Sequence, residues 1–304
     1  MNDSKILFSI IVPTFNRADI IKEAIKSVLE QSYDNWECLV IDDGSTDGTE
    51  RIINSFKDSR IKYYYKSHEE RSKARNFGIA IAEGEYICFL DSDDIYFPNH
   101  LVALLEKINK VNFVIGIFHT ELNICQKQSI HHEKWFENLN NKQVANFILQ
   151  GKSLYINAIC VSREAFNYNK FPDQFSYWED QHLWLRLLIK FPFFSVNQVT
   201  TQWNITGSSS VNTNFQEKPL KKMESYLRCI TDVEEKKEIT ACRFLAKEDF
   251  KNLKREKASK YIRHSIYKGK YLFAIRQYII CLKFLGLLDI SSAVVKIVHE
   301  KYKL

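Results

Sequence analysis

No run of the roughly 18 to 20 uninterrupted apolar residues that a bilayer-crossing helix needs occurs in this chain. The closest candidate, residues 271–298, is broken by Arg276, Lys283, Asp289 and Lys296, so no spanning helix is expected. The seven cysteines are odd in number, scattered, and nowhere spaced as CxxC, which argues against a disulfide frame or a zinc site. Reduced thiols in a cytoplasmic setting are the expectation, and the polar opening residues give no sign of a secretory leader. Neither GxGxxG nor GxxxxGK[ST] follows any apolar run, so dinucleotide binding and P-loop phosphate binding are not indicated.

What is present is an ordinary globular composition, 45% hydrophobic and 26% charged over 304 residues, enough for one large domain or two unequal ones. The net charge of +6 is unevenly spread: residues 216–304 carry about +10 and the preceding part about −4. The front part is therefore acidic and the tail basic. A boundary near 215 is expected, separating residues 1–215 from a basic helical region, 216–304.

Residues 8–12 form a short β-branched run ended by Pro13, which reads as a buried strand. Helical spacing follows over 19–29, a second strand at 36–41, a third at 61–65, a helix near 72–82 and another strand at 85–90. Further strands are expected at 112–116 and 157–161, with the stretch between them, including His119, His131, His132 and Trp135, left irregular. Strands alternating with helices imply right-handed βαβ units and a mostly parallel, mixed sheet flanked by helices, hence an α/β fold. Beyond about residue 215 the pattern turns helical.

In open α/β sheets ligands bind beyond the carboxyl ends of the strands. Three strand ends here carry polar residues: Pro13 to Arg17, Asp42-Asp43-Gly44-Ser45, and Asp91-Ser92-Asp93-Asp94. A carboxylate pair such as Asp91 and Asp93 suits a hard divalent cation, Mn²⁺ or Mg²⁺, that neutralises a diphosphate leaving group. The same residues equally suit an Asx-turn or a helix cap. Glu179-Asp180 opens a helix whose Leu183, Leu187 and Leu188 face inward; Asp180 there is either a capping residue or a general base.

Together the blocks SIIVPTFNR (9–17), VIDDGSTDGT (40–49), ARNFG (74–78), GEYICFLDSDD (84–94) and WED (178–180) resemble family 2 glycosyltransferases, inverting enzymes of the GT-A fold. The resemblance spans about residues 5–210. It implies a nucleotide-diphosphate sugar donor, most often uridine-linked, and a glycan or lipid-linked acceptor. It further implies that Pro13, Thr14 and Arg17 line the nucleotide pocket, that Asp42 meets the base with Arg71 beside it, and that Asp91 contacts the ribose. Asp93 would hold the metal, Asp180 would be the catalytic base, and Glu179 would at most touch the acceptor.

Two positions depart from the family pattern. Thr206 stands where many relatives carry a loop histidine, and Glu69-Glu70-Arg71 stands where a glycine often precedes the Ala-Arg-Asn block. With no QxxRW after the acidic pair and no spanning helices, addition of a single sugar is expected rather than processive synthesis. The alternative is a non-catalytic sugar-nucleotide or glycan-binding module of the same fold; a nucleotidyltransferase lacks its glycine-rich phosphate loop. No nucleic-acid partner is expected. For the tail, a solvated face on a helical bundle stands against a basic amphipathic surface that meets anionic lipid.

Overall fold

The structure, a computed structural model, describes residues 5–126, 129–133, 139–173 and 177–205. The chain divides into two compact units, Met1–Lys218 and Pro219–Leu304. The basic helical region expected at 216–304, its lipid-facing reading and Thr206 lie outside the described residues.

The first half of the sheet comes from β1 (Phe8–Thr14), β2 (Trp36–Asp42), β3 (Ile61–Tyr65) and β4 (Tyr86–Phe89), parallel and ordered β3-β2-β1-β4. Their connections carry α1 (Ile21–Leu29), α2 (Thr49–Asn54) and α3 (Arg71–Ile81). β1 and β2 are buried nearly throughout because helices cover both faces, and that is why their sequences are almost continuously apolar. Phe8, Ile10 and Val12 pack with Ile21, Ala24, Ile25 and Val28 of α1. Ile11 points the other way, toward α3, where Gly78 admits it: a Cβ at Gly78 would lie 2.7 Å from Ile11 Cγ2.

The second half adds β5 (Ile95–Tyr96), α4 (His100–Lys110), β6 (Ile117–Gln126), β7 (Ser129–Glu133), α5 (Asn141–Leu149), β8 (Ile159–Ser162), α6 (Glu179–Lys190) and β9 (Phe193–Ile205). The order runs on from β4 through β8, β6 and β9 to β5, with β7 paired to β6. β8 is antiparallel to both β4 and β6, whereas β6 and β9 run parallel, so the sheet is mixed, with its parallel part concentrated in the first half. β6 and β9 therefore run in the direction of β4. Their carboxyl ends, with the start of β8, share one rim with the acidic strand ends.

The middle of the chain differs from the sequence expectation. Residues 112–116 are not a strand; Asn112 and Phe113 both take positive φ, 55° and 59°, in the turn after α4. The strand lies just beyond, as β6, and part of the stretch expected to be irregular forms the antiparallel β6–β7 ribbon that carries His119, His131 and His132, while Trp135 lies outside the described residues.

Candidate active site

At the carboxyl end of β1, Thr14 is paired with Asp42 of β2 across the parallel ladder. Thr14 is 4% exposed and its Oγ1 has no hydrogen-bond partner, a buried polar atom that a ligand would satisfy. Asp42 is fully buried; its Oδ1 accepts from the Ser45 amide at 2.7 Å and its Oδ2 from the Tyr63 hydroxyl at 2.7 Å. Burial and the Asp42 carboxylate push the Tyr63 phenol above its ordinary value. The turns after β1 and β2 are laced together: the Asn16 amide donates to Ser45 Oγ, the Thr46 amide to Asn16 Oδ1, and the Arg17 amide to Thr49 Oγ1. Pro13, one residue before the end of β1, lies opposite Ile41.

Asp43 carries more contacts than its neighbour. It accepts from Lys66 Nζ at 2.9 Å and from the amides of Glu69 and Glu70, and His68 Nδ1 lies 2.8 Å from Oδ2. This carboxylate holds the chain that enters α3, where Glu70 sits at φ 81°, ψ 158°. Only glycine adopts that region without strain. The glycine expected from the family pattern is thus missing at a position whose backbone still requires it. The Phe15 ring, 41% exposed, stacks on His68 at 4.2 Å, so an open aromatic face lies beside Asp42 and Asp43.

Beyond β4 the chain turns through Asp91-Ser92-Asp93-Asp94. Asp94 is buried; its Oδ1 accepts from the Asn204 amide at 2.9 Å, and Asn204 Nδ2 donates to the Asp93 carbonyl at 2.8 Å. Burial, then the Asp91 and Asp93 carboxylates, push the Asp94 carboxyl well above its ordinary range. Such an accumulation of negative charge favours a cation. Among the described residues no group of three or more His, Cys, Asp or Glu side chains forms a metal cage. The oxygen-only chemistry fits a hard divalent cation held by one or two carboxylates and completed by ligand phosphates.

Trp178, a left-handed residue at φ 65°, is the N-cap of α6, so Asp180 lies in the first turn rather than at the cap. Its Leu183, Trp184, Leu187 and Leu188 are buried, and Trp184 packs against Phe89 of β4. Glu179 is 4% exposed; its Oε1 accepts from Arg75 Nη1 at 3.0 Å and lies 3.5 Å from Arg71 Nε. Glu179 is therefore an internal ion-pair partner of Arg75 and Arg71. Arg75, itself 2% exposed, donates through Nη2 to Asp91 Oδ1 at 2.8 Å. One guanidinium ties the acidic start of α6 to the carboxyl end of β4. Next to it, Asn76 grips both the amide and the carbonyl of Phe171.

Asp180 is half-buried. Desolvation, then the neighbouring Glu179 charge, raise its pKa to about 7, against the lowering effects of Arg75 and Gln181. The Gln181 amide donates to Oδ1 at 2.8 Å and Gln181 Nε2 to Oδ2 at 3.0 Å, fixing the carboxylate. A carboxylate poised near neutral pH suits a general base.

The structure thus brings Arg71, Arg75, Asp91 and Glu179 into one ion-pair network, with Asp180 next to Glu179 in the first turn of α6, and sets Pro13, Thr14, Arg17 and Asp42 at adjoining strand ends. Asp93 occupies the turn beside Asp91. Arg71 joins Glu179, whereas the groups that meet Asp43 near the second strand end are Lys66 and His68. Sequence reasoning missed Asp43, Arg75 and Gln181, although each adjoins or lies inside a quoted block.

Residues 9–168 match the profile of Glycosyl transferase family 2. The chain is 34% identical over 211 residues to an uncharacterised glycosyltransferase of Rickettsia conorii, covering 69% of this chain and 34% of that one. It spans about a third of the length of the first Rickettsia relatives it matches. It is 32% identical to the Escherichia coli UDP-Glc:α-D-GlcNAc-diphosphoundecaprenol β-1,3-glucosyltransferase WfgD, over 69% of this chain and 82% of that protein. Its fold resembles Staphylococcus aureus TarS 1–349 in complex with UDP-GlcNAc: TM-score 0.67, 19% identity, 91% of this chain and 80% of that one. A mannosyltransferase of Pyrobaculum calidifontis in complex with GDP-Man and Mn²⁺ gives TM-score 0.56, 15% identity, and coverage of 95% and 88%. By sequence and by its mixed sheet flanked by helices, the chain belongs to glycosyl transferase family 2, with the GT-A fold.

Proposed function

We propose that the chain moves a single sugar from a nucleotide-diphosphate donor, uridine-linked, to an acceptor hydroxyl, with inversion at the anomeric carbon, in assembly of a surface polysaccharide or glycolipid. The observation that carries this reading is Asp180. A carboxyl group held near pKa 7 is joined through Glu179 and Arg75 to Asp91, at the end of β4. It is a base on the same rim as the residues that suit a nucleotide.

Thr14 Oγ1, Asp42 and the Phe15 face would receive the nucleoside, with Arg17 and Pro13 shaping the pocket wall and Arg71 steadying Glu179 close by. Asp91, oriented by Arg75, would take the ribose, and Asp93 would hold a divalent cation, Mn²⁺ or Mg²⁺, against the diphosphate. That cation, when bound, neutralises charge developing on the leaving diphosphate. Asp180, its carboxylate aligned by Gln181, takes the proton from the acceptor hydroxyl as that oxygen attacks the anomeric carbon. The carbon–oxygen bond to the diphosphate breaks as the new glycosidic bond forms, and the proton stays on Asp180.

The glucosyltransferase relative is named for a UDP-linked donor and a diphosphoundecaprenol acceptor, and that supports a lipid-linked acceptor here. Among the described residues no helix is long and apolar enough to cross a membrane. The reading is tested by Asp180→Asn: UDP binding is retained and sugar transfer is lost, whereas transfer at the wild-type rate removes Asp180 as the base.

A further inference from the structure

The nucleotide half of the rim stops at β4, yet the rim continues onto β9 and the start of β8, and two half-buried aromatic rings stand there. Tyr155 and Trp203 pack with ring centroids 5.1 Å apart and planes tilted by 41°. Their neighbours in the chain are buried: Leu154 is 0% exposed and Ile156 9%, so Tyr155 is the residue of that segment that reaches the surface.

Both rings are anchored to the chemistry on either side. The Leu154 amide donates to Gln181 Oε1 at 2.9 Å, and Gln181 Nε2 donates to the Leu154 carbonyl at 2.8 Å. The same Nε2 holds Asp180 Oδ2 at 3.0 Å. Tyr155 therefore follows directly on a residue locked to the base. Trp203 precedes Asn204, whose amide and side chain bind Asp94 and the Asp93 carbonyl. Gln202 Nε2 donates to Asn204 Oδ1 at 2.8 Å, so these two amides share one side of β9 while Trp203 alternates to the other. The aromatic pair thus bridges the turn that bears Asp93 and the segment that aligns Asp180.

We propose that Tyr155 and Trp203 form the platform on which the acceptor's terminal pyranose ring stacks, presenting its hydroxyl to Asp180. This rests on the transferase reading above. A pyranose has an apolar face of axial C–H groups and a polar edge of hydroxyls, and it matches a site where aromatic faces adjoin fixed polar groups. The pair lies on the far side of β4 from Thr14 and Asp42 in the strand order.

The test is saturation-transfer NMR on the full chain with UDP and Mg²⁺, probing methyl glucopyranoside, methyl galactopyranoside and methyl N-acetylglucosaminide. Transfer to the axial C–H protons of at least one glycoside is expected. Affinity falls about tenfold in Trp203→Ala and in Tyr155→Leu, and Trp203→Phe, which keeps a ring face, retains the signal. Where Trp203→Ala does not fold, as judged by its melting transition, Tyr155→Leu carries the loss. No transfer to any glycoside in the wild type, or equal transfer in both loss variants, overturns the proposal. Calorimetry of UDP on the wild type separates the two readings: UDP binding without glycoside binding removes the platform alone, and absence of both removes the donor site as well.

Discussion

Arg75 and Glu179, 104 residues apart in sequence, meet with Nη1 3.0 Å from Oε1, both side chains being almost wholly buried. Burying two charges is costly and is offset only when further bonds satisfy them, as Asp91 does on the other guanidinium nitrogen. The pair therefore acts less as a source of stability than as a fixed link between α6 and β4. Removing one partner leaves a buried uncompensated charge. Arg75→Met is expected to destabilise the fold by about 3–5 kcal/mol. Adding Glu179→Gln to it recovers part of that loss, a non-additivity that a double-mutant cycle in urea measures. Strict additivity would show that the two do not interact.

The Asp180 carboxyl makes stability depend on pH in a definite direction. Its folded value, about 7, lies above the ordinary aspartate value that applies once the chain unfolds. Between those values the folded state holds a proton that the unfolded state has lost, so stability falls as pH rises through that window. Asp180→Asn removes this contribution. The melting temperature of the variant relative to wild type is expected to climb between pH 5 and pH 7.5, by an amount worth about 2 kcal/mol. A difference that is flat with pH would mean that Asp180 titrates as an ordinary surface aspartate.

The backbone at Glu70 gives a stability prediction that no side-chain contact would suggest. At φ 81°, ψ 158° a residue with a Cβ is strained, and the Asp43 carboxylate holds it there through the Glu69 and Glu70 amides. Glu70→Gly is expected to raise stability by about 1 kcal/mol, the strain relieved less the extra chain entropy of glycine. Glu70→Ala, which keeps the Cβ, gives no such gain. Equal melting curves for Gly and Ala variants would show that the backbone relaxes without cost.

These relationships mark where the sequence was legible. The alternating strands and helices of residues 8–90 could be read because both faces of β1 and β2 are covered and their apolar runs are unbroken. β6 and β7 could not: IFHTELNICQ and SIHHE carry polar residues on a ribbon whose outer part is open to solvent, so no apolar run marks them. Asp91 and Glu179 stand out in the sequence as acidic residues at element ends. The group that joins them does not, since Arg75 finds its partners 16 and 104 residues away and nothing local in ARNFG specifies them. Glu70 is the opposite case. A missing glycine was visible in the sequence, and the structure supplies its physical meaning.

Asp93 separates the cation from the rest of the site. Asp91 is engaged by Arg75, and Asp94 is buried and bonded to the Asn204 amide. Asp93 is the carboxylate of that turn which the family resemblance assigns to a cation held against a diphosphate. In the wild type, UDP with Mn²⁺ is expected to raise the melting temperature above UDP alone, because a ligand that binds only the folded state adds about 2.7 kcal/mol at a hundredfold excess over its Kd. In Asp93→Ala the increment due to Mn²⁺ disappears while a smaller effect of UDP persists, as Thr14, Asp42 and Asp91 are untouched. Asp93→Asn keeps an oxygen ligand but not its charge and gives an intermediate increment. An unchanged Mn²⁺ increment in Asp93→Ala would place the cation on other groups.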